Sequence, residues 1–263
     1  YIKGRGDVEW SAEDASRTDR SFLVEAVRTA INAGATTINL PDTVGFAQPR
    51  EHEDMFLQVI AEVRPRPDVI FSAHPHNDLG LAVANTLAAF RGGARQIECT
   101  IKGIGERAGN AQMGAVVANL KVRGDVNPFT CSINTKMMKE VADLHSSFIV
   151  DPPSILPIDG DNAFAHGAGI HQDGMKKNAN CYSPMKAEDY GHKAMTFPLT
   201  IHSGAAGIFA VLDEYDHHIE EVWHGRFIRY FKDCAAEALE SGSCLRVIPP
   251  KVAVKWTEDW KRS

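Results

Sequence analysis

The chain has 263 residues, a formal net charge of −6, 44% hydrophobic residues and 24% charged residues. Those values suit a globular protein with a sizeable core and exclude a disordered or collagen-like chain. Basic runs are short, as at Lys176-Lys177, and no apolar run approaches the roughly 20 residues of a membrane span, so neither a nucleic acid nor a membrane is an expected partner. Five cysteines (Cys99, Cys131, Cys181, Cys234, Cys244) lack C-x-x-C spacing, which fits a reducing cytosol and argues against a zinc ribbon or a disulfide framework.

In chain order, Asp7 to Trp10 reads as a short strand, and Thr18 or Asp19 as the cap of a helix whose apolar residues recur from Phe22 to Ile31. Gly34 closes that helix. A β-branched strand, Thr36 to Leu40, follows and stops at Pro41-Asp42-Thr43. A helix over Glu51 to Val63 comes next, then strand Val69 to Ala73, helix Leu81 to Phe90, strand Gln96 to Thr100 and helix Met113 to Val122. Strands alternating with helices predict a parallel sheet with right-handed crossovers. Past Asn127 the rhythm changes. Helices are expected over Asn134 to Phe148 and Ile219 to Leu239, and a short strand over Val252 to Lys255.

Each strand is followed by a polar cluster: Ser11/Glu13, Asn39/Asp42/Thr43, His74/His76/Asn77/Asp78 and Glu106/Arg107/Asn110. In parallel α/β folds the C-terminal strand ends carry the chemistry. Side chains at i and i+2 of a strand share a face, so His74 and His76 can aim two imidazoles at one point, which predicts a metal site. The bland alternative is one surface histidine and one turn cap. Gly103-Ile104-Gly105-Glu106-Arg107-Ala108-Gly109 superficially matches a dinucleotide fingerprint, but it follows the fourth strand instead of the first and reads better as a loop presenting Asn110 beside the histidines. His171, in a glycine-rich stretch, is a plain loop residue or a general acid or base.

Five segments together resemble the 2-isopropylmalate synthase family of metal-dependent Claisen-type TIM-barrel enzymes. They are Ser11 to Asp19, Ile38-Asn39-Leu40-Pro41-Asp42-Thr43-Val44-Gly45, His74-Pro75-His76-Asn77-Asp78-Leu79-Gly80, Gly105-Glu106-Arg107-Ala108-Gly109-Asn110 and His171-Gln172-Asp173-Gly174. The resemblance implies a fold: the C-terminal half of a (β/α)8 barrel over residues 1–126, a linker subdomain over 127–200 and a helical subdomain over 201–263, with no leucine-regulatory domain. It implies a reaction, condensation of acetyl-CoA with 2-oxoisovalerate to 2-isopropylmalate and CoA in leucine biosynthesis. It also implies roles: His74, His76 and Asn110 holding a divalent metal (Mn²⁺, Mg²⁺ or Zn²⁺); Ser11, Asn39, Pro41 and Thr43 around the 2-oxo acid; Glu13, His171 and Tyr182 as catalytic residues. A cytoplasmic homodimer is implied, with His171 and Tyr182 acting on the partner's site. The sequence departs from the family in lacking the Arg-Asp-Gly stretch that supplies a further metal ligand, and in having Lys102 where Asn is usual and Gly167-Ala168 where Glu-Ser is common. The chain is therefore expected to be a piece of a longer product with little activity alone. Homocitrate or citramalate synthesis, and a non-catalytic dimerising remnant, are the alternatives.

Overall fold

A computed structural model describes residues 6–149, 156–165, 174–175, 177–178, 185–193, 198–200, 203–240 and 248–262. The chain forms two compact units, Tyr1–Asp159 and Gly160–Ser263.

In the first unit four strands lie in the order β1-β2-β3-β4, all parallel: β1 (Glu9–Ser11), β2 (Thr37–Asp42), β3 (Ile70–Pro75) and β4 (Gln96–Ile97). Between and after them run α1 (Arg20–Ala33), α2 (Pro49–Val63), α3 (Ala82–Gly92) and α4 (Met113–Val122). This β/α alternation is one half of a (β/α)8 barrel, as the sequence implied.

The helix ends follow local chemistry. The Asp19 carboxylate accepts from Phe22 N and caps α1, and Gly34 ends it at φ 109°, a left-handed conformation glycine adopts without steric cost. Pro49 opens α2, and Glu51 reaches back to Gln48 N at 3.0 Å. Asn77 Oδ1 accepts from Ala82 N and caps α3.

The strands carry two different faces. Ile38, Leu40, Phe71 and Ala73 face the helices and pack with Leu23, Val27, Met55, Phe56 and Val59 into one buried core. Each alternate residue points the other way: Glu9 and Ser11, Asn39 and Pro41, Ser72 and His74, and Gln96. In a flat sheet β1 and β4 would stand three strand spacings apart, about 14 Å. Yet Gln96 Nε2 donates to Glu9 Oε2 at 2.8 Å. The sheet is therefore curled, its polar face concave, as a barrel interior requires.

His52, on α2, is 1% exposed and sits edge-on to Phe56 at 5.3 Å between ring centroids. Burial pushes its pKa down from 6.5 to about 4. Above pH 6.5 the imidazole is neutral in both folded and unfolded chains. As pH falls from 6.5 towards 4 only the unfolded chain takes up the proton, so stability falls, by up to about 3 kcal/mol. Urea melts across that range should show this acid loss in the wild type and a flatter dependence in His52→Phe.

Within the second unit, α6 (Ala205–Glu214), α7 (His224–Glu240) and α8 (Pro250–Arg262) enclose Ile208, Leu212, Phe227, Phe231, Ala235 and Ala253. A further helix, α5 (Met138–Ser146), belongs to the first unit. The strand expected over Val252 to Lys255 is instead the first half of α8. The Val-Ala-Val-Lys alternation misleads because the buried positions are Ala253 and Thr257, four apart, and Trp256 and Trp260 pack on the same core, again four apart. Pro250 at the first turn suits a helix start. The expected helix over Ile219 to Leu239 is α7, preceded by a short turn of 3-10 helix at Glu221–Trp223.

Candidate active site at the strand ends

The C-terminal ends of β1 to β3 and the loops after them hold the predicted residues of the first unit except Asn110, which follows β4. Pro41 pairs with His74 across β2 and β3, and Ser11 pairs with Asn39 across β1 and β2. Asn39 is 3% exposed, its Nδ2 donates to Ser11 Oγ at 3.1 Å, and its Oδ1 is buried with no hydrogen-bond partner. Thr43 Oγ1 accepts from Asp14 N at 2.8 Å, which ties the β2 loop to the β1 loop beside the exposed Glu13.

The His74 and His76 rings lie 5.0 Å apart between centroids, so the i, i+2 spacing does bring them together. His74 Nδ1 lies 2.6 Å from Glu98 Oε2. Burial works against ionisation of Glu98, but hydrogen bonds from Glu9 and His74 hold its pKa below the usual range. Its neighbour Glu9 is shifted the other way, chiefly by the hydrogen bond to Glu98. With Glu98 ionised, His74 Nδ1–H donates to it, which leaves Nε2 outside that hydrogen bond. Ser72 Oγ donates to the second oxygen of Glu98 at 3.3 Å. Burial lowers the pKa of His76, with His74 and Arg107 adding to the effect, so its ring is neutral near pH 7; its Nδ1 is buried with no hydrogen-bond partner.

Asn110 reaches this site through a backbone lock. His76 and Asn110 form an antiparallel bridge, and Asn77 N donates to Gly109 O at 2.8 Å. Asn110 Nδ2 donates to Ile104 O, which fixes the amide and leaves Oδ1 buried and unpaired. The glycine-rich segment thus presents Asn110 beside His76. Its glycines are required there: Gly109 has φ 91°, and a Cβ on it would lie 2.0 Å from Gly103 O. Gly109→Ala should cost about 3 kcal/mol and displace Asn110, measurable as a lowered urea midpoint. Arg107 braces the same loop with a two-pronged pair to Asp78 at 2.7 and 2.9 Å and a bond to Thr43 O.

Two imidazoles and an amide oxygen, with buried atoms on His76 and Asn110 that have no hydrogen-bond partner, are a donor set that fits a divalent cation. Among the described residues no group of three or more His, Cys, Asp and Glu is placed to hold one, so the amide oxygen is essential to that fit. His171 and Tyr182 lie outside the described residues. Glu9, Ser72, Gln96 and Glu98 carry no local motif and were not anticipated; the signal is the polar face of β1, β3 and β4, which becomes visible once the register is known.

A curled parallel sheet with imidazoles, amides and carboxylates gathered at its C-terminal rim defines an α/β-barrel enzyme fold. The chain belongs to the HMGL-like family, whose model matches residues 2–144, and residues 158–238 match the homocitrate synthase post-HMGL domain-like model. Its relatives include the 2-isopropylmalate synthase of Caulobacter sp. (strain K31), 49% identical over 232 residues, covering 88% of this chain and 44% of that protein. The 2-isopropylmalate synthase of Caulobacter vibrioides (strain NA1000 / CB15N) is 54% identical over 200 residues, covering 76% of this chain and 38% of that protein. That of Xanthomonas axonopodis pv. citri (strain 306) is 50% identical over 216 residues, covering 82% and 42%. The chain thus spans less than half the length of the curated relatives it matches. Among the described residues no helix is long and apolar enough to cross a membrane.

Proposed function

We propose that the chain is part of a 2-isopropylmalate synthase, which condenses acetyl-CoA with 2-oxoisovalerate in the cytoplasm and releases 2-isopropylmalate and CoA. The observation that carries this reading is the pair of close imidazoles, one held by Glu98, beside the unpaired oxygen of Asn110. The names of the relatives support the same reaction.

His74, His76 and Asn110 would hold a divalent ion (Mn²⁺, Mg²⁺ or Zn²⁺), which when bound polarises the keto group of the 2-oxo acid. Asn39, with its unpaired Oδ1, and Ser11, Pro41 and Thr43 surround that acid. A base takes a proton from the acetyl methyl group, the resulting carbanion forms a C–C bond to the keto carbon as the C=O π pair moves to oxygen and is protonated, and water then hydrolyses the thioester to free CoA. We assign the proton transfers to Glu13 and His171, with Tyr182 beside them. His171 and Tyr182, on the linker over residues 127–200, act on the site of the second subunit of a homodimer.

Homocitrate or citramalate synthesis is the second reading, and the match of residues 158–238 to the homocitrate synthase post-HMGL domain-like model favours keeping it. The test is thiol release by a protein completed to the length of its relatives, supplied with acetyl-CoA and each of 2-oxoisovalerate, pyruvate and 2-oxoglutarate. The highest kcat/KM is expected with 2-oxoisovalerate. A clear preference for either other acid replaces the assignment, and thiol release with none of them favours a remnant that only dimerises.

A further inference from the structure

Asn110 brings the amide oxygen to the rim, and part of what holds its main chain lies away from the rim. Residues 110–112 join the glycine-rich loop to α4. Asn110 N donates to Gly103 O at 2.9 Å, Thr100 N donates to Ala111 O at 3.0 Å, and Met113 N donates to Thr100 O at 2.9 Å. Those bonds tie the segment to the loop before it. Ala111 N adds one bond to Pro75 O, at the end of β3.

Gln112 ends the segment and stands at the cap position of α4, yet its side chain caps none of the helix N–H groups. It turns instead to residues far along the chain. Its Nε2 donates to Pro157 O at 2.6 Å and to Asp159 Oδ2 at 2.9 Å, the second contact spanning 47 positions. Both side chains are buried, Gln112 at 7% and Asp159 at 3% exposure.

The other oxygen of Asp159 lies against the first turn of α4. A Cβ on Gly114 would stand 2.4 Å from Asp159 Oδ1 and 2.8 Å from its Cγ. Glycine is a poor residue inside a helix, and here its missing side chain makes room for the carboxylate. A carboxylate at that end also suits the positive pole of the helix dipole. One buried acid thus grips both the start of α4 and the residue two places after Asn110.

We propose that Asp159 is a positioning residue for the rim site. Through Gln112 it holds the segment that carries Asn110, and so sets where the Asn110 oxygen stands beside His76. The inference rests on the reading of His74, His76 and Asn110 as metal ligands.

The test is calorimetric titration of Mn²⁺ into the metal-free 263-residue chain and its variants, with the fold of each checked by circular dichroism. Asp159→Ala is expected to bind about tenfold more weakly than the wild type, as when an outer partner of a metal ligand is lost. Gln112→Ala should lose as much, and the double variant no more than either, because both break one chain of contacts. Added to Asn110→Ala, Asp159→Ala should change nothing further. Gly114→Ala leaves the acid in the chain and is the better helix former, but its methyl group displaces the Asp159 carboxylate, so Mn²⁺ binding is expected to weaken there too. A purely structural role for Asp159 would lower stability and leave the affinity of the folded variants unchanged. Wild-type affinity in folded Asp159→Ala or in Gly114→Ala overturns the proposal, as does a full further loss when Asp159→Ala is added to Asn110→Ala. Binding that survives His74→Ala/His76→Ala instead overturns the rim reading itself, and this inference with it.

Discussion

Asp42→Ala is expected to destabilise the first unit by about 4 kcal/mol or more, enough to unfold a marginally stable domain. Asp42 is completely buried at the end of β2. Its two oxygens accept from Ser16 Oγ at 2.7 Å, Phe46 N and Ala47 N at 3.1 Å each, and Asn85 Nδ2 at 3.4 Å. Its backbone oxygen accepts from His76 N, so the residue also seats the second histidine. Alanine would keep the strand but strand four donors away from water, and each unpaired buried donor costs about 1–3 kcal/mol. Asn85 keeps its bond to Ala47 O at 2.9 Å, so some of the loss is recovered there. Urea unfolding followed by circular dichroism measures the difference. A loss under about 1 kcal/mol would show that the carboxylate is replaceable by water.

Glu98→Ala should leave the fold intact and weaken divalent-metal binding by about 10- to 100-fold. Glu98 is half-buried and lies beyond the end of β4, away from the buried core. Its work is done on His74: it fixes the tautomer and holds the ring through Nδ1. Without it the ring is free to rotate, and Glu9 loses the hydrogen-bond partner that raises its pKa. Competition against a chelator gives the affinity, and circular dichroism confirms that the fold persists. Unchanged affinity in Glu98→Ala would separate the carboxylate from the metal site.

How far such features could be read from residues alone depends on their range in sequence. The β/α rhythm, the His74 and His76 pair and the position of Asn110 are local or nearly local patterns, and the structure shows each of them. Asp42 read as a strand-ending member of a polar rim cluster, and its role as a buried anchor was not visible because its partners come from residues up to 43 positions away. Glu9 and Glu98 meet across four strands, and only the curl of the sheet, set by register and twist, brings them together. His52 sits at an ordinary position of an amphipathic helix, and nothing local marks it as buried. The misread strand at Val252 to Lys255 has a different cause. A four-residue window holds two periods of a strand but barely one turn of a helix, so Trp256, Thr257 and Trp260 had to be included for the helical period to win.

The central claim is that His74, His76 and Asn110 form a divalent-metal site at the rim of the half-barrel. Calorimetric titration of Mn²⁺ into the metal-free chain tests it most directly. A single saturable site is expected in the wild type, greatly weakened in Asn110→Ala and absent in His74→Ala/His76→Ala, with the fold of each variant confirmed by circular dichroism. Binding that persists undiminished when both histidines are gone, or no saturable binding to the wild type, would contradict the account.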